Sequence, residues 1–166
     1  MQLTPHFNLN EGFESSDGAP TTPEILKNIQ YVANELEKIR VKFGKPIKVN
    51  CCYRSPGKNS SIAGASKTSA HMLGLAVDID GPTDADNDEL GELIHRMAMA
   101  GEIELDQEIF EHYTPENESF KWIHYSPRKN METPPRKMFL VCDTIGGEDK
   151  YLPLTPELAK RMHIAI

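Results

Sequence analysis

Ser69-Ala70-His71-Met72-Leu73-Gly74-Leu75-Ala76-Val77-Asp78-Ile79-Asp80 is answered further along the chain by Trp122-Ile123-His124. Leu75 to Ile79 reads as a strand, and His71 sits in the loop that enters it. Gly74 permits the tight reversal that would bring the His71 and Asp78 side chains to one point. Small Ala76 shares a strand face with Asp78 and leaves room beside it. His124 falls in a second strand candidate, Phe120 to Tyr125. Two imidazoles and one carboxylate are the donor set of a catalytic zinc site, because they leave a fourth coordination position open.

The flanking sequence supplies a frame for such a site. Pro23 suits a first helical turn, with Thr22 before it and Glu24 favouring the positive end. Ile25, Ile29, Val32, Leu36 and Ile39 follow as one apolar stripe, and Gly44 and Pro46 end the helix. Ile47 to Tyr53 alternates as a half-buried strand does until Ser55-Pro56-Gly57 breaks it, and a Ser-, Gly-, Asn- and Lys-rich loop runs to Thr68. A second helix is expected from a cap at Asp86 or Asn87, with Leu90, Leu93, Ile94 and Met97 inward and Gly101 closing it. Ile103 to Phe110 and Phe120 to Tyr125 read as strands around a polar loop at Pro115-Glu116-Asn117-Glu118. Met138 to Cys142 is a further strand candidate, Gly146-Gly147 a turn, and Thr155 the cap of a short helix from Pro156 to about Met162. Leu3 to Ala19 reads as an irregular arm. The 166 residues suit a single α+β domain spanning 1–166, with no internal repeat or linker.

Composition narrows the function classes. A formal charge of −7, from 25 acidic and 18 basic residues, argues against a nucleic-acid partner. The basic pairs Arg128-Lys129 and Arg136-Lys137 read as solvated surface charge. No long apolar run suggests a membrane span, and Met1 to His6 lacks the basic and apolar regions of a secretory leader. A monomer is expected, made in a reducing compartment and carried out of it by other means if its target lies outside. Cys51, Cys52 and Cys142 form no even disulfide framework and no C-x-x-C pair, so all three are expected to be reduced and structural.

The string Ser69-x-His71-x-x-Gly74-x-Ala76-x-Asp78, followed by Trp122-x-His124, resembles the D-alanyl-D-alanine metallopeptidases, zinc enzymes that cut peptidoglycan stem peptides. Tyr53-Arg54-Ser55-Pro56 upstream of His71 is similar to theirs, as are Phe7-x-Leu9-x-Glu11-x-Phe13 and Ser15-Ser16-Asp17 before the long helix. The likeness runs from about residue 3 to 127 and is nearest the phage and prophage branch; residues 128–166 match no motif and form an extension of unknown role. The resemblance implies a small α+β fold shared with the hedgehog signalling domain, an antiparallel sheet carrying the zinc site with helices packed against it. It also implies zinc held by His71, Asp78 and His124, Arg54 anchoring substrate and polarising the scissile carbonyl, and peptidoglycan stem peptides as the partner.

By the same resemblance Ser69 contacts substrate or orients His71, with a turn-capping role as the alternative. Members of the family commonly carry an acidic residue three positions before the last histidine, where this chain has Lys121. The phage-type branch instead carries an Asp-Gln-x-Ile-x-Glu string, matched by Asp106-Gln107-Glu108-Ile109-Phe110-Glu111. Strand alternation puts Gln107, Ile109 and Glu111 on one face. Glu111 is therefore the expected general base, with Gln107 in the same cleft and Glu108 and Glu118 as lesser options. Trp122 shares a face with His124 and walls the site or packs in the core; His112 is an adjacent candidate for substrate contact. The function implied is a zinc carboxypeptidase or endopeptidase of the cell wall. As a phage or prophage lysin it would wait in the host cytoplasm for release to the wall; as a wall enzyme of the virion it would travel with the particle. The competing readings are a non-catalytic zinc-containing module of a phage particle and a hydrolase of some other amide, such as a D-amino-acid dipeptide.

Overall fold

The computed structural model describes residues 1–114 and 118–166. Its framework is a six-stranded sheet: β1 (Lys48–Cys51), β2 (Val77–Asp80), β3 (Gln107–Thr114), β4 (Ser119–Ser126), β5 (Met138–Ile145) and β6 (Glu148–Pro153), in the order β1-β2-β4-β3-β5-β6. All neighbouring pairs are antiparallel except β3 and β5, which run parallel, so the expected antiparallel sheet is mixed at one join. That join is made by residues 127–137, which lead from β4 across to the far side of β3. The C-terminal extension is thereby part of the same sheet.

One face of the sheet is covered by α1 (Pro23–Phe43) and α3 (Asp84–Met99). The α1 stripe of Ile29, Val32, Leu36 and Ile39 is fully buried against it, together with Val77, Ile79, Phe110, Phe120, Ile123 and Tyr125. Thr22 caps α1, its side chain accepting from the Ile25 amide, and Gly44 ends it in the left-handed region at φ 72°. The cap of α3 is Thr83, not Asp86 or Asn87: its hydroxyl accepts from the Asp86 amide and donates to the Asp86 carboxylate at 2.6 Å. This reciprocal pairing sets the boundary one turn earlier than an acidic cap would. Asn87 instead lies in the first turn and donates to the Phe120 and Lys121 carbonyls, fastening α3 to β4.

Two further expectations are corrected. The loop after Ser55 contains a short helix, α2 (Pro56–Ser60), capped by the Ser55 hydroxyl on the Lys58 amide. β3 begins at Gln107, later than expected, because Ile103 and Leu105 are buried in an irregular approach held by Glu104, which pairs with Arg128 at 2.6 Å. Beyond the Gly146-Gly147 turn, an edge strand β6 pairs with β5 and leads to α4 (Pro156–Arg161), with Thr155 as its cap. No helix among the described residues is long and apolar enough to cross a membrane.

Candidate metal centre and cleft

The open face of the sheet carries a cleft of about 750 Å³. Asp78 on β2 pairs in register with His124 on β4, and His124 with Ile109 on β3, so one row across three strands faces the cleft. His71 enters from a single 3-10 turn, Ala70–Leu73, that precedes β2. Gly74 ends that turn at φ 66°, and a Cβ there would stand 3.1 Å from Ile29. The left-handed backbone favours glycine there, and α1 leaves little room for a side chain.

Three donor atoms converge. His71 Nε2 lies 3.3 Å from Asp78 Oδ1 and 3.2 Å from His124 Nδ1, and His124 Nδ1 lies 2.9 Å from the same Asp78 oxygen. Donors bound tetrahedrally at roughly 2.0–2.1 Å stand about 3.3 Å apart, so this triangle fits one zinc ion without rearrangement. The tautomer also fits. His71 Nδ1 is 2.8 Å from the Cys52 carbonyl, which can only accept, so Nδ1 carries the proton and Nε2 offers its lone pair to the cluster. Burial works to raise the Asp78 carboxyl, but the two imidazoles prevail and hold it far below the usual carboxylate range. It is an anion poised for a cation.

The N-terminal arm positions Arg54. The Cys52 and Tyr53 amides donate to the Gly12 and Phe13 carbonyls at 2.8 and 3.1 Å, and the Ser55 amide donates to Ser15 Oγ at 3.0 Å. Asp17 accepts from the Ser15 and Ser55 hydroxyls, which lower its carboxyl to about 2. Gly12 is required there, since a Cβ would fall 2.1 Å from the Val49 carbonyl oxygen. Arg54 then reaches the cleft with Nη2 3.9 Å from Asp78 Oδ2, while its Nε is buried without a partner. A guanidinium held this loosely has donors left for a ligand.

Glu111, Gln107 and Trp122 all line the same cleft, as does Ser69. The Ser69 side chain makes no cap hydrogen bond to the turn that follows it. Glu111 is mostly buried, and burial first, then Asp78 and Asp149, raise its carboxyl to about 7 against the lowering effect of His124 and Cys142. Its Oε2 has no partner. A carboxyl with that affinity for protons suits general acid–base work near neutral pH.

Glu108 and Glu118 stand elsewhere. Glu108 points into the core with both oxygens unpartnered, and Glu118 is exposed near His163. Lys121 is exposed and outside the cleft lining. The basic pairs contribute Arg128 and Arg136 to ion pairs with Glu104 and Asp106. Of the loop that runs to Thr68, Ala63 to Ser66 border the cleft, while Pro115, Glu116 and Asn117 of the polar loop lie outside the described residues.

Sequence reasoning left out one neighbour of the site and turned another the wrong way. Cys51, treated as structural, brings its sulfur within 4.8 Å of the His71 and Asp78 donors. His112, which alternation would turn away from Glu111, has φ 55° and stacks on Trp122 at 4.8 Å inside the cleft. Nothing in the residue types signals that left-handed backbone.

A triangle of two imidazoles and one carboxylate, open to a cleft beside a proton-accepting carboxyl and a guanidinium with donors to spare, is a candidate mononuclear metal centre. A family model described as Peptidase M15 matches residues 5–113, about two-thirds of the chain, and the protein belongs to that family. The match includes His71, Asp78, Arg54 and Glu111 and ends before His124. No curated protein and no solved structure matches the chain.

Proposed function

We propose that the protein is a zinc peptidase that hydrolyses peptide bonds in the stem peptides or crosslinks of bacterial peptidoglycan, as a D-Ala-D-Ala carboxypeptidase or endopeptidase. Membership of the peptidase family supports the peptidase class. The observation that carries the reading is the placement of the His71–Asp78–His124 triangle, Glu111 and Arg54 around one cleft.

His71, Asp78 and His124 would hold the ion, which would supply a Lewis acid for the scissile carbonyl and make a water acidic enough to be a nucleophile near pH 7. Glu111 takes the proton from the attacking water onto a carboxylate oxygen and passes it to the leaving amine. Arg54 places positive charge beside the carbonyl oxygen, where negative charge develops in the tetrahedral intermediate. Ser69, Gln107 and Trp122 shape the cleft around the peptide. A setting in phage or prophage lysis, or on a virion, agrees with the motif string on β3 and with a partner presented outside the cytoplasm.

Lys121, in place of an acid before His124, favours a second reading, a binding module that retains zinc without turnover. Mass spectrometry of soluble fragments from purified Gram-negative peptidoglycan decides between them. New fragments that vanish with a zinc chelator are expected, and their masses name the bond. No release by folded, zinc-loaded protein would overturn the peptidase reading in favour of the binding module.

A further inference from the structure

Beside the triangle lies a second set of metal donors that the proposed reaction does not need as a set. We propose that Glu111, His112 and Cys142 form a second site for zinc or a similar borderline-soft divalent cation, and that its occupation inhibits the enzyme. The inhibitory half rests on Glu111 being the general base; the binding half does not.

Donor atoms of the three side chains all lie within 4.8 Å of one another. They come from two strands. Glu111 and His112 are consecutive on β3, and the positive φ of His112 turns its ring to the Glu111 side. Cys142 lies on β5, one residue beyond Val141, which pairs with Phe110. The Cys142 side chain is fully buried on the strand that pairs with that of Glu111. Glu111 is only 7% exposed, and its unpartnered Oε2 is a buried acceptor with unfilled capacity.

Thiolate, imidazole and carboxylate together select zinc-like ions over magnesium or calcium, which take oxygen donors. Asp149 Oδ1, 3.5 Å from His112 Nδ1, adds a carboxylate that can fix the imidazole or complete the shell. The triangle's donors stand 2.9–3.3 Å apart, near the spacing of a tetrahedral shell, whereas those of the second set are gathered only within 4.8 Å, so the triangle fills first. An ion at the second site uses the Glu111 lone pairs that would otherwise accept a proton.

The test starts from protein loaded with one equivalent of zinc and adds cobalt(II). A sulfur-to-cobalt charge-transfer band is expected to rise over one further equivalent, with turnover of peptidoglycan fragments falling at least tenfold. Cys142→Ser is expected to lose both the band and the inhibition while keeping one tightly held zinc. Cys51→Ser is expected to retain both, which separates this thiol from the one beside the triangle. Absence of the band in the parent protein, or its persistence in Cys142→Ser, would overturn the site. Cobalt binding through Cys142 with undiminished turnover would overturn the inhibition and with it the assignment of Glu111 as base. A one-zinc protein without turnover would defeat the peptidase reading alone, since the band still decides the site.

Discussion

Glu108 and Glu111 stand three residues apart on one strand and meet opposite surroundings. Glu111 opens onto the cleft beside Asp78 and His124; Glu108 is sealed among core residues with neither oxygen paired. The Asp106 to Glu111 string pointed to Glu111 through its resemblance to the phage-type branch, and period-two alternation separates it from Glu108. Replacing Glu111 with Gln keeps shape and removes proton affinity. Turnover on peptidoglycan fragments is expected to fall about 10²–10⁴-fold, with zinc content by elemental analysis unchanged. Loss of zinc in Glu111→Gln would make it a ligand and not a base. Arg54→Ala is expected to lower kcat/KM about 10²–10³-fold, the usual cost of one oxyanion donor. Steady-state kinetics with circular dichroism checks this, since an equal loss in the fold would assign Arg54 to structure. His112 and Cys51 were not legible in these terms, because one depends on an unusual backbone angle and the other on the close approach of two loops.

Among the elements, α3 shows how tightly the helical layer must seat to hold the metal-bearing strands. Gly91 occupies its interior, where a Cβ would lie 2.4 Å from the Phe110 ring and 2.9 Å from Ile123. Phe110 is itself fixed edge-on to Phe120 at 5.2 Å, so the ring has little freedom to withdraw. Alanine would gain about 1 kcal/mol in helix propensity, but overpacking costs about 1–3 kcal/mol. Gly91→Ala is therefore expected to lower stability by up to about 2 kcal/mol, measured by urea denaturation; a more stable variant would show that the ring yields freely. The stripe on α1 was readable because its packing follows a single period. The α3 boundary was not, because three adjacent cap-forming residue types compete and only the Thr83–Asp86 pair is satisfied reciprocally. β6 left no signal either: an exposed edge strand needs no apolar alternation, and the Gly146-Gly147 turn and its β5 partner define it.

At the scale of the whole molecule, the layer between sheet and helices contains an ionisable pair that opposes stability in mildly alkaline solution. Glu108 faces His95 of α3 across 3.8 Å, too far for a hydrogen bond, and the His95 ring lies against Phe139 at 4.2 Å. Burial pushes the Glu108 carboxyl well above its ordinary value and lowers the imidazole. The two act in opposite senses. A raised carboxyl supports the fold below the unfolded value of 4.5 and loses that support as pH climbs toward the folded value. A depressed imidazole costs stability as pH falls below 6.5. They offset between those limits, and above 6.5 the imidazole has given its full contribution while the carboxyl continues to oppose the fold. Asp88, raised to about 6, and Glu111, raised to about 7, act in the same sense as Glu108 up to those values, and the three thiols, raised from 9.0 by burial, join as pH approaches 9. The protein is therefore expected to lose stability as pH rises above 6.5 toward the folded Glu108 value, with that carboxyl contributing up to about 1.4 kcal/mol per pH unit. Glu108→Gln removes the titrating proton and should flatten the slope; Glu108→Leu also removes the unpaired oxygens and should raise stability by about 1–3 kcal/mol. Denaturant midpoints across that range provide the measurement. A slope in Glu108→Gln equal to that of the parent would mean that the carboxyl is already ionised in the folded protein over that range and that another group sets the pH dependence.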